Sequence, residues 1–496
     1  MSFIDVQNLT FAYEGSYDNL FEDVSFRLDG SWKLGLVGRN GRGKTTLLNL
    51  FMGKYEYSGA ISSGLVFQYF PFDVPDQSRT PLEIAESKIS GFEEWRLLRE
   101  LSLLSVEEDV LTRPFYTLSN GEQTKVLLAV LFLNEHAFLL IDEPTNHLDT
   151  GGREIVSRYL NGKQGFILVS HDRAFLDGCI DHVLSINRNN IELQKGNFSS
   201  WEENKRRQDE FELAENRRLK KDIRRLSEAA KQTADWSDKV EKTKSKKNMP
   251  SNSGTGKLDK GYIGHQAAKM MQRSKNIETR RLSAAEEKEG LLKNLETAES
   301  LKLSPLPYHS RRLLSLEKLS LFYGEKAVCE NVAFTVEAGD RVALTGRNGS
   351  GKSSLLKLIG GQEIAFCGGL QKGSGLVISA VPQDTSFLKG NLREYAGARG
   401  IGESLFLAIL RKLDFARVQF EKDMADFSGG QKKKVLIAAS LCEKAHLYLG
   451  DEPLNFIDVF SRMQIEELLL SFCPTMVFVE HDRAFCEKIA TKTVAL

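Results

Sequence analysis

Two hydrophobic patterns recur along this chain. Near-continuous apolar runs, FLLID at 138–142 and GFILVS at 165–170, return as LYLGD at 447–451 and TMVFVE at 475–480. Unbroken runs of this length predict strands buried on both faces of a parallel sheet. Shorter runs, WKLGLVG at 32–38 and RVALTG at 341–346, enter glycine turns and are followed by TTLLNLFM and SSLLKLIG, whose apolar spacing predicts helices. Between the two halves the pattern changes. Leu219, Ile223, Leu226 and Ala230 alternate steps of four and three, while Ile277, Ala284, Leu291 and Ala298 are seven apart with Leu295 between. That is the seam of two antiparallel helices, a hairpin or coiled coil.

The polar punctuation repeats as well. GRNGRGKTT at 38–46 returns as GRNGSGKSS at 346–354, LSNGEQ at 118–123 as FSGGQ at 427–431, LLIDEPTNHLD as LYLGDEPLNFID, and SHDRAF as EHDRAF. The lysines at 44 and 352 are 308 residues apart, the aspartates at 142 and 451 are 309 apart, and the histidines at 171 and 481 are 310 apart. So constant a register over separate motifs defines two homologous α/β domains, expected at 1–200 and 312–496, around an inter-domain segment 201–311. LKLSPLPYHS at 301–310 reads as a helix stop before the second domain.

Composition changes this picture little. The 496 residues are 41% apolar and 27% charged, too long for one ordinary core. Net charge is zero, so any basic partner surface must be local. The longest apolar run, VLLAVLFL at 126–133, is too short to cross a bilayer, and MSFIDVQNLTFAY lacks the basic and apolar start of a signal peptide. A soluble, cytoplasmic protein is expected. Six cysteines without a CxxC pair suggest neither disulfides nor zinc, and are expected to be reduced and mostly buried.

GxxxxGK[ST] cradles phosphate: glycines let backbone N–H groups converge on the oxygens, lysine adds a charge, and the hydroxyl holds Mg²⁺. Both copies fit, with Gly38, Asn40, Gly41, Gly43, Lys44, Thr45 and Thr46 in one and Gly346, Asn348, Gly349, Gly351, Lys352, Ser353 and Ser354 in the other. Asp142 and Asp451 each end an apolar strand, where a carboxylate meets Mg²⁺ or its waters, and Glu143 and Glu452 follow, placed to polarise the attacking water. SGTGK at 253–257 follows no strand and opens no apolar helix, so it reads as a loop.

This set resembles ATP-binding cassette (ABC) domains, with LSNGEQ and FSGGQ as the signature. The resemblance makes Gln68 in VFQYF and Gln383 in VPQD the Q-loop residues and further Mg²⁺ contacts, and His171 and His481 the switch histidines. Tyr13 and Tyr323 are adenine-stacking or core aromatics. It implies a head-to-tail sandwich. One ATP would lie between Lys44, Gln68, Asp142, Glu143 and His171 and the opposing Ser428, Gly429 and Gly430. The other would lie between Lys352, Gln383, Asp451, Glu452 and His481 and the opposing Ser119, Asn120 and Gly121. Departures are Asn120 for glycine, Arg42 for a small residue, Phe427 for leucine, NFID for NHLD, and Glu480 for the serine before His481. The second copy departs further.

The segment between the domains narrows the class. From Trp201 to Val240 a helix would run on the order of 60 Å, far more than a tether needs. Residues 227–282 hold 13 Lys/Arg against six Asp/Glu in an otherwise balanced chain. Its turn-rich part, KTKSKKNMPSNSGTGKLDKGY at 242–262, offers Lys244, Lys246, Lys247, Lys257 and Lys260 as phosphate contacts, with Met249 and Tyr262 as lesser apolar or stacking contacts. The whole chain resembles the ABC-F family, soluble twin-cassette ATPases of the ribosome. DEPTNHLD and SHDRAFLD are its most specific strings. WKLGLVGRNGRGKTTLL and GDEPLNFIDVFSR are similar to the antibiotic-resistance branch of the Lsa and Vga type. The resemblance implies ATP and Mg²⁺ as cofactors, large-subunit rRNA and P-site tRNA as partners, no membrane, and a monomer that pairs its own cassettes. It implies protection from pleuromutilins, lincosamides and streptogramin A compounds. A housekeeping translation factor is the alternative; a transporter ATPase has no use for the hairpin, and a DNA-repair ATPase would carry metal-binding cysteines or a far longer coiled coil.

Overall fold

The computed structural model describes residues 2–245 and 306–496, apart from 15–18, 90, 135, 136, 147, 188, 189, 325, 348, 414 and 416. The tip at 242–262, beyond the helix end at Ser245, the SGTGK loop, the return helix through Ile277 and Ala298, and the first half of the 301–310 stop lie outside the described residues.

In the first repeat, β1 (Phe3–Phe11), β2 (Phe21–Asp29), β3 (Lys33–Gly38), β4 (Ser58–Ser63), β5 (Val66–Phe70), β6 (Ala137–Asp142), β7 (Phe166–Val169), β8 (His182–Ile186) and β9 (Ile191–Lys195) form two sheets. The larger has the order β5-β6-β7-β3-β8-β9, parallel except for β9. The smaller, β2-β1-β4, is antiparallel. The second repeat matches it. β10 (Arg312–Tyr323), β11 (Lys326–Glu337), β12 (Arg341–Thr345), β13 (Ala365–Lys372), β14 (Ile378–Val381), β15 (Leu447–Asp451), β16 (Met476–Val479) and β17 (Lys492–Ala495) form a parallel sheet β14-β15-β16-β12-β17 and an antiparallel sheet β11-β10-β13. The antiparallel sheets went unread in the sequence because FIDVQNLTF and its counterpart mix polar and apolar positions.

The apolar runs behave as their pattern requires. Along β6 and β7, Leu139, Ile141, Phe166 and Leu168 enter the core under the helices, while Phe138, Leu140, Ile167 and Val169 pack toward the antiparallel sheet. In β16, Met476 and Phe478 face one core and Val477 and Val479 the other. Burying each such side chain contributes about 1.5–3 kcal/mol, so the sheets form rigid platforms whose C-terminal edges hold the chemistry.

The repeats share a core edge. Val459 lies within the first repeat's core, with Phe460 and Met463 packed against it. Phe460 also meets Trp201 edge-on at 5.7 Å. Arg173 of the first repeat pairs with Glu466 of the second, whose side chain is fully buried, and Lys488 adds a bond to Glu466 at 2.8 Å. Residues 202–299 form a separate unit. Its described part belongs to the helix Phe198–Ser245, with i,i+4 pairs such as Glu203–Arg207 at 2.5 Å and Arg224–Glu228 at 2.8 Å. On its expected seam Leu219 and Ile223 are half-buried; the side chains of Leu226 and Ala230 lie outside the description.

The expectation of mostly buried thiols is corrected. Cys179 and Cys329 are buried, Cys442 and Cys486 half-buried, and Cys367 and Cys473 exposed. Burial pushes the thiols of Cys442 and Cys486 up to about 12. Under native conditions a neutral thiol reagent should modify Cys367 and Cys473 first and the other four only on unfolding, as followed by peptide mass spectrometry. Arg173→Ala leaves the carboxylate of Glu466 with Lys488 alone and should cost roughly 2–4 kcal/mol, read as a lower urea midpoint.

Candidate active sites

Each P-loop forms where a strand ends and a helix begins. β3 stops at Gly38 and the helix Lys44–Phe51 follows; β12 stops at Thr345 and the helix Lys352–Ile359 follows. The residue before each helix, Gly43 or Gly351, has φ near +90°, a conformation glycine enters without penalty. A Cβ on Gly43 would also lie 2.8 Å from the Phe21 ring. Lys44 Nζ donates to Gly38 O at 2.8 Å, and Lys352 Nζ to Gly346 O at 2.9 Å and Arg347 O at 2.7 Å. Burial holds both ammonium groups below the usual lysine range. A charge so poorly solvated is poised to bind an anion.

The hydroxyl after each lysine meets the strand-end carboxylate. Thr45 Oγ1 donates to Asp142 Oδ2 at 2.8 Å, and Ser353 Oγ to Asp451 Oδ1 at 2.9 Å. One hydroxyl and one carboxylate are hard oxygen donors that fit Mg²⁺ when phosphates and water complete its octahedron. Among the described residues no cluster of three or more acidic, His or Cys ligands forms a cage of its own.

Glu143 and Glu452 follow with φ of 50° and 47°, a left-handed backbone that costs about 1–3 kcal/mol for a non-glycine residue. Their N–H groups are pinned to Val169 O at 2.9 Å and Val479 O at 3.1 Å on the neighbouring strand. His171 Nε2 lies 3.2 Å from Glu143 Oε1, and His481 Nε2 3.5 Å from Glu452 Oε1. Burial, then the charge of Asp142, pushes the Glu143 carboxyl up to about 8. Hydrogen bonding to His481 holds Glu452 below its ordinary range. Burial also holds His171 neutral.

The sites are completed across the repeats. A cavity of about 730 Å³ is lined by Tyr13, Asn40, Gly41, Gly43, Lys44, Thr45, Thr46, Asp142, Glu143 and His171 from the first repeat and by Ser428, Gly429 and Gly430 from the second. Another, of about 970 Å³, joins Gly349, Gly351, Lys352, Ser353, Ser354, Gln383, Glu452 and His481 to Ser119, Asn120 and Gly121. Ser119 and Ser428 each cap a helix, Asn120–Phe132 and Gly429–Cys442, in a capping box with Glu122 or Gln431. Each presents a hydroxyl and the positive end of a helix to the opposing P-loop.

Several expected residues sit otherwise. Gly38 and Gly346 lie beneath their loops, where their carbonyls hold the lysines. Asp451 stands behind Ser353, outside the cavity lining. Asn348 lies outside the described residues. Tyr323 is half exposed and does not line the second cavity. Tyr13 does line the first, bonded to Thr46 Oγ1 at 2.6 Å and edge-on to Tyr55.

The Gln68 expectation is corrected by strand register. Phe70 pairs with Ile141, one residue before Asp142, as Val381 pairs with Gly450, one residue before Asp451. Pro71 therefore matches Pro382, and Phe72 matches Gln383. Gln68 pairs with Leu139 in mid-strand, away from the lining of the first cavity, and holds no place at the metal position. In its stead Tyr69 donates to Asp142 Oδ2 at 2.8 Å. Sequence reading also missed Asn455, which donates to Glu452 Oε2 at 3.2 Å, and the Phe456 carbonyl, which accepts from Asn40 Nδ2 at 2.9 Å. Both lie within NFID, which in sequence marked only a departure from NHLD.

The comparisons agree with this geometry. The family model described as ABC transporter matches residues 21–146 and again 329–455. Ribosome protection protein VmlR of Bacillus subtilis is 28% identical over 98% of this chain and 85% of that protein. Energy-dependent translational throttle protein EttA of Haemophilus influenzae is 26% identical over 95% of this chain and 88% of its own. An archaeal ribosome recycling factor, aABCE1, solved with the stalk protein aP1, superposes with a TM-score of 0.64 at 18% identity, over 98% of this chain and 87% of that one. The chain is thus a twin-cassette ATPase that belongs to the ABC transporter family of ATP-binding domains, and its relatives are ABC-F proteins.

Proposed function

We propose that this chain is an ABC-F ATPase that binds the ribosome in its ATP-closed form and protects it from antibiotics acting at the peptidyl-transferase centre. The observation that carries the reading is the pair of composite cavities, each joining one cassette's P-loop to the other's signature serine. A nucleotide in either would bridge the cassettes, so ATP acts as the glue and hydrolysis as the release. The cassettes occupy 1–200 and 312–496, and residues 201–311 are the effector.

In this mechanism the P-loop N–H groups with Lys44 and Lys352 bind the triphosphates. Thr45 with Asp142, and Ser353 with Asp451, would hold Mg²⁺, which would offset charge on the phosphates. Glu143 and Glu452 take the proton of the attacking water, His171 and His481 orient them, and Tyr13 faces the base. Asn40, Gly41, Thr46, Gly349 and Ser354 complete the cradles, and Ser428, Gly429 and Gly430, or Ser119, Asn120 and Gly121, close them. The basic run around Lys244, Lys246, Lys247, Lys257 and Lys260 grips rRNA and P-site tRNA phosphates, contacts that weaken with salt and carry little sequence preference. VmlR and EttA, a ribosome protection protein and a translational throttle protein, support the ribosome as target. No described helix is long and apolar enough to cross a membrane; in this proposal the protein acts in the cytoplasm as a monomer that pairs its own cassettes.

Replacing Glu143 and Glu452 together by Gln should trap an ATP-dependent ribosome complex that no longer dissociates; sedimentation that shows no complex would sink the translation reading. Shortening 244–260 should spare ATP hydrolysis while removing protection, read as inhibitory concentrations of a pleuromutilin, a lincosamide and a streptogramin A in a susceptible bacterium. If the intact chain leaves all three values unchanged, the housekeeping alternative stands instead.

A further inference from the structure

The two composite sites differ where the chemistry is most sensitive to position. At Glu452 the carboxylate is held from three directions. Gln383 Nε2 donates to Oε2 at 3.0 Å, Asn455 Nδ2 donates to the same oxygen at 3.2 Å, and His481 Nε2 stands 3.5 Å from Oε1. At Glu143 the histidine is as near, His171 Nε2 standing 3.2 Å from Oε1, but no side-chain amide donates to either oxygen among the described residues. Its Gln383 counterpart is Phe72, whose ring packs into the first cassette's core. Its Asn455 counterpart, Asn146, lines the cavity without donating to it.

The neighbouring aspartates differ in the opposite sense. Asp142 Oδ2 accepts from both Thr45 and Tyr69, each at 2.8 Å. Among the described residues the Asp451 carboxylate accepts a side-chain bond from Ser353 alone, and the position matching Tyr69 is Ala380. The first site thus spends its donors on the carboxylate beside the P-loop, and the second on the one that must face water.

We propose that the cassettes divide the work: the Lys352–Glu452 site, closed by Ser119, is the main hydrolytic site, with Gln383 and Asn455 as positioning residues, while the Lys44–Glu143 site mainly retains ATP. The inference rests on the ATP-site assignments proposed above. In the step, water oxygen bonds the γ-phosphorus as the bond to the ADP oxygen breaks, Glu452 takes the water proton, and that proton leaves with phosphate. A base fixed by two donors meets that water in one geometry; one without them samples several, and a small misplacement lowers the rate steeply.

Steady-state ATP hydrolysis by the full chain tests this. Glu452→Gln should lose about tenfold more kcat than Glu143→Gln, since a general base contributes at least that much. Asn455→Ala should lower kcat about threefold to tenfold with KM unchanged, and should have no further effect on top of Glu452→Gln. Phe72→Gln, made on the Glu452→Gln background, should raise the residual rate severalfold by supplying the missing donor. Equal losses from the two single Gln variants, or a larger loss from Glu143→Gln, would overturn the division of labour while leaving the sites intact. Full activity in the double Gln variant would instead overturn the site assignment itself.

Discussion

A P-loop surrounds a triphosphate on one side only, so the chemistry depends on how closely the second cassette can approach. One carbonyl sets that distance at the first site. Phe456 O accepts from Asn40 in the opposite P-loop at 2.9 Å, and a Cβ on the signature residue Gly430 would lie 2.4 Å from it. The P-loop of one cassette, and the signature and post-strand turn of the other, therefore converge on a single acceptor with no space for a side chain at 430. Phe456 reaches this position with φ of 63°, a strain of about 1–3 kcal/mol that only a well-packed surround sustains. That surround is at hand: the helix Val459–Phe472, which starts three residues later, places Val459 in the first cassette's core and Glu466 against Arg173.

What the sequence made legible follows from how local each cause is. The P-loops, the buried strands and the strand-end carboxylates depend on short-range patterning, and both copies could be checked against each other. The composite cavities are a long-range fact, reached in sequence only through the family resemblance, because their walls come from opposite repeats. Gln68 was misread because its motif was judged by its letters. In a strand, shifting a residue by a few positions moves it to another neighbour, and only the pairing of Phe70 with Ile141 shows that Phe72 occupies the place of Gln383. Tyr323 precedes its P-loop as Tyr13 does, yet the aromatic partners Phe11 and Tyr55 that frame Tyr13 are a feature of the first cassette.

The left-handed backbone at Glu143 and Glu452 had no sequence signal, since nothing in DEP distinguishes a strained residue from a relaxed one. Strain at the same position in both cassettes turns each carboxylate from the direction of its strand toward the cavity. The bonds from Glu143 N to Val169 O and from Glu452 N to Val479 O extend the ladder one residue past the strand end, holding that turn against relaxation. The rigid sheet beneath is what makes such a turn tolerable: two faces of packed apolar side chains leave the strand end no alternative path.

The second cassette, the more divergent by motif, is also the more tightly wired, and its departures explain why. Ser170 and Thr124 of the first cassette are matched by Glu480 and Lys433 in the second, two neutral residues against a pair of opposite charges. Burial lowers the Lys433 ammonium and raises the Glu480 carboxyl, and each charge would be costly alone. Glu480 is the foremost favourable charge acting on Lys433, Arg462 the foremost acting on Glu480, and each of the two makes backbone bonds of its own. Lys433 donates to Pro382 O at 2.8 Å and to Asp451 O at 3.4 Å, while Glu480 accepts from Leu454 N at 2.6 Å and His481 N at 3.2 Å. Those four backbone groups belong to the segments that carry Gln383, Glu452, Asn455 and His481. Buried charges held this way contribute little net stability, but they can fix one arrangement among several; here they fix the loops around the carboxylate that faces water.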